Sequence, residues 1–252
     1  MESNLKTSPF PKNAYGILAC IEDHHWWFRA RNQILIWILK TRVNGISNIL
    51  EVGCGTGFAL KGIAEAFPRL SLEASEYFEA GLEIAQRRVP RCRFRHLDAI
   101  AMTEADAYDC IGSFDVLEHI QADQTVLVNF YRALRTGGFL VLTVPQHSWL
   151  WSGADTYAHH VRRYSCAELR AKVSRAGFQL VYSTSFVSIL LPLMALQRLK
   201  PGPKPYSLDD DMMIHPAINS LLYHVMQIEF LFLRIGLRFP AGGSLLLLAR
   251  KP

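Results

Sequence analysis

No two of the five cysteines, Cys20, Cys54, Cys92, Cys110 and Cys166, stand in a C-x-x-C pair, and their number is odd. That argues against a disulfide framework and against a cysteine zinc site, and makes a reducing, cytoplasmic setting the expectation. The first twenty residues hold Glu2, Lys6, Pro9, Pro11 and Lys12 and no apolar run, so no secretory signal is expected. Long hydrophobic stretches are missing too. Phe186 to Leu196 is strongly apolar but contains Pro192 and falls short of the ~20 residues that span a bilayer. Charge is sparse at 19%, and the net charge of +5 is modest. Arg87, Arg88, Arg91, Arg93 and Arg95 crowd one stretch that could attract phosphate. No nucleic-acid module accompanies them, so a solvated helix end and edge is expected, with no nucleic-acid partner. Repeats and low-complexity tracts are absent. What is present is a folding composition: 252 residues, 50% hydrophobic and 11% aromatic, enough for one well-filled domain with additions.

From position 48 onward, short β-rich runs alternate with helical patterns. Strands are expected at Asn48 to Val52, Leu70 to Ser75, Arg93 to Leu97, Asp109 to Phe114, Phe139 to Val144, Gln179 to Thr184 and Ser244 to Ala249. Helices are expected at Phe58 to Phe67, Phe78 to Arg88, Asp123 to Leu134 and, after the S-x-x-E capping pattern Ser165 to Glu168, up to Ala176. Arg135-Thr136-Gly137-Gly138 reads as a turn. Such alternation gives an α/β fold, a seven-stranded, mostly parallel sheet with helices on both faces and ligands at the strands' carboxyl ends. The stretch 186–243 is too long for a bare loop and is expected to be a helical insert. The chain thus divides into an N-terminal helical segment at 1–45, a core at 46–185, the apolar insert at 186–243 and a last core strand at 244–252.

Two further helices are informative on a wheel at ~100° per residue. From Trp26 to Lys40, Arg29, Asn32, Gln33 and Lys40 share a polar face, while Arg31 falls among Trp27, Ile34, Leu35 and Ile38. A charge there needs an anion, either a structural carboxylate or a ligand. From Leu221 to Arg238, His224, Gln227, Arg234 and Arg238 form a narrow polar stripe, with nearly everything else apolar except Glu229. Packing on the core explains such a helix most simply, and lying in a membrane interface is the sharper alternative.

The segment Ile49 to Gly57 runs a buried strand directly into Gly53-Cys54-Gly55-Thr56-Gly57 ahead of a helix. Glycines there let the backbone approach a ligand, and the helix start presents free N–H groups. Phe58 breaks the dinucleotide fingerprint, and Glu51 would repel a pyrophosphate but suits a cationic amino group. In this E-x-G-x-G-x-G motif the sequence resembles the class I S-adenosylmethionine-dependent methyltransferases. The resemblance continues in register. Glu76, with Tyr77 beside it, stands where that family's acid holds the ribose hydroxyls, and Asp98 and Ala99 stand where the adenine is contacted. Phe114-Asp115-Val116-Leu117-Glu118-His119 matches the fourth-strand motif, and Leu134 to Gly138 matches L-x-P-G-G with Thr136 in place of proline. His25 to Arg31 is similar to the W-W-F-R-x-R opening of some members, in which the helix covers the cofactor's methionine end. The resemblance implies a Rossmann-like sheet with an antiparallel last strand and a helical N-terminal lid. It also implies S-adenosyl-L-methionine as cofactor, S-adenosyl-L-homocysteine as product, and Arg31 facing the methionine carboxylate.

Methyl transfer from a sulfonium is an in-line displacement that the protein mainly positions and desolvates. A hydroxyl acceptor would need a base, for which His119 and His147 are candidates. The loop after the fifth strand, with His147, Trp151, His160 and Arg163, suits an acceptor that joins an apolar or sugar surface to an anion. The acceptor is expected to be a small, lipophilic or lipid- or sugar-linked molecule covered by the insert, with peripheral membrane contact as a separate expectation. No metal is expected, since the spacing of His147, His159 and His160 is not diagnostic. Two alternatives stand beside this reading: a nicotinamide-dependent oxidoreductase on the same sheet, and a non-catalytic S-adenosylmethionine-binding module.

Overall fold

The apolar runs fold into seven strands of one sheet, and alternate side chains on each strand feed two separate cores. On the last strand, Leu246 and Leu248 enter one core while Leu245, Leu247 and Ala249 enter the other, the period-two pattern of a strand covered on both faces. The computed structural model describes residues 12–198, residue 208 and residues 212–252. Residues 1–11 of the expected N-terminal segment, and 199–207 and 209–211 of the expected insert, lie outside the described residues.

The strands are β1 (Asn48–Val52), β2 (Ser71–Glu76), β3 (Arg93–His96), β4 (Tyr108–Phe114), β5 (Leu134–Pro145), β6 (Gln179–Phe186) and β7 (Ser244–Arg250). Their order across the sheet is β3-β2-β1-β4-β5-β7-β6. All neighbouring pairs are parallel except the two made by β7, which runs antiparallel to both β5 and β6. The chain moves outward from β1 to β3 and then returns to β4 on the other side of β1. Between the tips of β1 and β4 the order reverses, which opens a crevice at the carboxyl ends. Helices α1 (Lys12–Ile21), α2 (Trp26–Arg42), α3 (Phe58–Ala66) and α4 (Glu79–Arg88) precede or link the first strands. The later connections contain α5 (Asp123–Ala133), α6 (Gly153–Tyr157), α7 (Cys166–Arg175), α8 (Leu191–Arg198) and α9 (Pro216–Arg234).

The expected turn at Arg135 to Gly138 lies inside β5. Leu134 pairs with Tyr108 and Phe139 with Cys110, so four residues of β5 loop out against Asp109 alone. Gly137 takes a φ of +83° to make that excursion, and a Cβ on Gly138 would stand 2.8 Å from the Arg135 carbonyl oxygen. The last long helix starts earlier than expected because Pro216 occupies its first turn, where a missing N–H costs nothing, with His215 accepting from the Ala217 amide. It stops at Arg234, and Arg238 lies beyond it over the Tyr182 ring.

The polar faces of α2 and α9 meet each other. Gln33 and Gln227 exchange amide hydrogen bonds of 3.0 and 2.7 Å, and the Arg29 guanidinium lies 3.9 Å from the Tyr223 ring centroid. Asn32 is buried against α3, where its Nδ2 donates to the Phe58 carbonyl and only a glycine at position 62 leaves room. Glu229, the acid on the apolar side of α9, accepts from the Ser188 and Ile189 amides at 2.6 and 2.9 Å and so ties α9 to the turn after β6. The arginine cluster also departs from the expected solvated edge. Arg91 bonds the Leu70, Ala64 and Phe67 carbonyls, and Arg95 pairs with Glu73 and Glu104. Arg87 and Arg93 are exposed as expected, and Arg91 is exposed while still holding those carbonyls. Arg88 is spent closing the ligand crevice.

Candidate active site

Two adjoining cavities occupy the crevice. The smaller, of about 140 Å³, is lined by Gly53, Gly55, Glu76, Tyr77, Asp98, Ala99 and Val116, with Tyr15 and Asp115. The larger, of about 520 Å³, holds Arg31, Glu51, Cys54, Thr56 and Phe114 on one wall and Glu118, His119, His160 and Arg163 on another. Tyr15, Gly53, Gly55, Asp115 and His119 border both, so a ligand passing over the glycine turn would reach from one to the other.

Local chemistry shapes the turn. Gly53 and Gly55 have φ of +75° and +54°. A Cβ on Gly53 would meet Val116 Cγ2 at 2.5 Å, whereas one on Gly55 would project into open space, which is where a ligand can approach the backbone. Glu76 at the tip of β2 holds this turn. Its Oε2 accepts from the Gly55 amide at 2.7 Å, and its Oε1 accepts from the Tyr77 and Phe78 amides. Burial nevertheless pushes its pKa up, against the pull of those three amides. Roughly one of a carboxylate's four lone-pair sites is left for a ligand hydroxyl. Asp98 accepts from the Ile100 amide and caps the short helical turn that contains Ala99.

Thr56 is fixed from the other side. Its hydroxyl donates to Glu22 Oε2, which also takes Arg88 Nη1 at 2.7 Å, and Arg88 Nη2 reaches the Ala19 carbonyl. This buried knot clamps α1 over the turn. Arg31 is buried and pairs with Asp115 Oδ2 at 2.5 Å, with its guanidinium 4.7 Å from the Trp27 ring centroid. The anion that Arg31 requires is therefore a protein carboxylate, and the pair itself borders the larger cavity. Glu51 is buried with Oε2 unpartnered. Burial lifts its pKa to about 8, opposed by Arg31 and assisted by Glu76. The Cys54 thiol is pushed far up by burial and is inert.

On the opposite wall, Asp155 is fully buried and acts as a hub. It accepts from Arg163 Nε at 2.7 Å and Nη2 at 3.0 Å and from the Ser152 amide and hydroxyl, and it holds His160 Nδ1 at 2.8 Å. The Ser152/Asp155 capping box of α6 is the signal from which this aspartate could have been singled out. Burial pushes His119 down to about 3, so its ring is neutral. His147 and Trp151 are not among the residues lining either cavity. His147 stacks on Trp149, and Trp151 donates from Nε1 to Thr156.

A family described as a methyltransferase domain matches residues 21–183, which contain β1 to β5 and nearly all of the turn residues just described. The chain belongs to the class I S-adenosylmethionine-dependent methyltransferases. Its cofactor is S-adenosylmethionine, and the nicotinamide alternative falls away. A probable S-adenosylmethionine-dependent methyltransferase of Mycolicibacterium smegmatis is 28% identical to this methyltransferase over 70% of its chain and 68% of the relative. One from Mycobacterium tuberculosis is 27% identical over 63% of this chain and 57% of the relative. The fold is shared with Haemonchus contortus phosphoethanolamine N-methyltransferase 2, solved with S-adenosyl-L-methionine, at a TM-score of 0.59 and 16% identity over 87% of this chain and 52% of that one. The chain thus spans only part of the longer relatives. The site suits the cofactor on two structural grounds: the open space over Gly55, and the orphaned Glu51 oxygen, which an ammonium group would satisfy. The residues that the sequence did not single out are Glu22 and Arg88, which fix Thr56, Tyr15, which borders both cavities, and Asp155 as the hub of the opposite wall.

Proposed function

We propose that the methyltransferase acts on a small acceptor with a lipophilic body, taken into the larger cavity while S-adenosylmethionine lies across the glycine turn. The cofactor supplies an electrophilic methyl group on its sulfonium. Glu76, Tyr77, Asp98, Ala99 and Val116 would hold the nucleoside in the smaller cavity, and Gly53, Gly55, Glu51 and the Arg31–Asp115 pair the amino-acid end. Cys54, Thr56, Gly57 and Phe114 would shape the turn and its floor rather than bond the ligand, since Thr56 is engaged by Glu22 and Gly57 packs on Ala85.

The observation that carries the acceptor class is the apolar wall of the larger cavity. Leu190, Leu193, Met194, Met212 and Leu222 come from α8, α9 and their surroundings, and Leu193 is at once a lining residue and 49% exposed. The cavity therefore reaches the surface at Leu193, and the exposed side of α9 and its end carries Leu221, Ile228, Leu231 and Ile235, with Arg234 and Arg238 also exposed. An apolar face bordered by cations matches an anionic membrane surface, from which a lipophilic acceptor would enter. No described helix is long and apolar enough to cross a membrane, so contact would be peripheral, at the cytoplasmic face that five free cysteines suit. His119 lines both cavities, and its unpartnered Nδ1 would accept a hydrogen bond from an acceptor hydroxyl, although the burial that keeps the ring neutral also makes it a weak base. His160 and Arg163 border the acceptor's polar end. His147 and Trp151 would act behind that wall.

Methyl-labelled S-adenosylmethionine incubated with the enzyme and a total lipid extract, in parallel with an aqueous metabolite extract, tests this. Label should enter organic-phase products. Label confined to aqueous products, with cofactor binding intact, would overturn the lipophilic acceptor, and binding without any transfer would favour the non-catalytic module.

A further inference from the structure

One group of side chains at the meeting of the two cavities has an arrangement that proton transfer alone does not account for. Glu118, His119 and His160 each offer a ligand atom, and those atoms all lie within 4.8 Å of one another. All three residues border the larger cavity. Glu118 is 1% exposed, and its Oε2 has no hydrogen-bond partner; Nδ1 of His119 is likewise buried and unpartnered. Leaving such groups unsatisfied is costly, and the convergence of these three side chains on one spot points to a ligand.

His160 is oriented for that role. Asp155, already neutralised by Arg163, holds His160 Nδ1 at 2.8 Å and so assigns the proton to that nitrogen. The Nε2 lone pair is then free and lies 4.0 Å from Glu118 Oε1. The His119 ring meets the His160 ring edge-on, with centroids 4.7 Å apart. A carboxylate behind an imidazole is the arrangement that orients and strengthens metal-binding histidines.

We propose that Glu118, His119 and His160 bind a divalent transition-metal ion through one carboxylate oxygen and two imidazole nitrogens, leaving coordination positions open to the acceptor cavity. Two nitrogens and one oxygen suit zinc, iron, cobalt or manganese better than calcium or magnesium. Three protein ligands with a vacant position is the pattern of an ion that receives a substrate rather than one that only braces a fold. Ligand atoms bound at ~2.0–2.2 Å around a tetrahedral ion stand about 3.3 Å apart, so small side-chain rotations would close the 4.0 Å gap. The role of the open positions rests on the cavity being the acceptor's, but binding of the ion does not. With the ion present, His119 is a ligand, and the acceptor's polar atom is held by the metal instead of by a histidine base.

The test is titration of the full-length protein with Co²⁺, followed by visible d–d absorption and calorimetry, with S-adenosylmethionine affinity measured on the same samples. One ion per chain is expected. Asp155→Asn should weaken binding by ~10–100-fold, as loss of an outer partner does, and Glu118→Gln and His160→Ala should weaken it further. His159→Asn, a neighbouring histidine outside the cluster, should leave it unchanged. Absence of saturable Co²⁺ binding to the wild type would overturn the proposal, and so would binding that survives both Glu118→Gln and His160→Ala. Should Glu118→Gln fail to fold, as read by its thermal melt, His160→Ala decides alone. The cofactor assignment fails separately, if the wild type does not bind S-adenosylmethionine whatever the metal result.

Discussion

The two cavities share Tyr15, Gly53, Gly55, Asp115 and His119 but are built in opposite ways. Most of the smaller one comes from the tips of consecutive parallel strands and the turns that leave them, so its groups are set by backbone geometry: glycine φ values, amides bonded to Glu76, and Asp98 capping a turn. The larger one is assembled from α1, α2, the segment 154–163 and the region between β6 and β7, and its groups are set by side-chain pairs across long sequence separations. On the proposed reading, the nucleoside rests on the strand tips of the sheet and the acceptor on a wall of helices and loops.

That contrast can be broken by experiment. The largest effect should come from the acceptor side: Asp155→Ala leaves Arg163 buried without its partner and should cost about 3–5 kcal/mol in thermal or denaturant unfolding, while S-adenosylmethionine affinity in the folded fraction stays close to wild type. Equal losses in stability and cofactor affinity would mean that the two walls are one unit. Next, Gly55→Arg fills open space over the turn and should weaken cofactor binding by about 100-fold, roughly 2.7 kcal/mol, with a loss of stability held to the ~1–2 kcal/mol that a side chain at a φ of +54° costs. Glu76→Ala should weaken it as well, but with a drop in midpoint, because the turn amides lose their acceptor.

Glu51 gives a pH test of the boundary. Its folded pKa of about 8 lies above the ordinary 4.5. The protonated carboxyl therefore contributes stability that is full below the lower value and lost as pH rises through the upper one. The ligand-free enzyme should become less stable across that window, and Glu51→Gln should flatten the fall. Calorimetry in two buffers of different ionisation enthalpy at pH 7 should show a proton released when the cofactor's ammonium group arrives. The smallest stability effect belongs to the exposed face of α9. Leu221→Asp with Ile228→Asp should change stability by no more than about 0.5 kcal/mol each, yet abolish co-sedimentation with anionic vesicles. Retained sedimentation would remove the membrane from the acceptor's route.

The strands were legible because their apolar runs are short and the punctuation between them is strong. Asn48–Val52 matches its expected bounds, and the other strands differ by one or two residues except β5. There a glycine pair that reads as a turn is a looped-out piece of a strand, a distinction made only by the pairing of Tyr108 and Cys110 with Leu134 and Phe139. The partner of Arg31 was not legible, because Asp115 is distant in sequence and both a protein and a ligand anion satisfy the same electrostatic need. The apolar circumference of α9 suggested packing on the core or a membrane interface, but not that part of its polar stripe faces α2, since two amides separated along the chain leave no periodic trace of their pairing.

By itself the sequence determined the parallel α/β order, the glycine turn after β1 and the acids at the strand tips, because each depends on local backbone preference and on the period of burial. Only the tertiary structure decided which charges are spent inside the protein and which face a cavity. Arg88, Arg163 and Asp155 are consumed in buried pairs, while Glu51, Glu118 and His119 keep unpartnered atoms. That outcome depends on which side chains the folded chain brings within hydrogen-bond distance, and composition, spacing and periodicity carry no record of it.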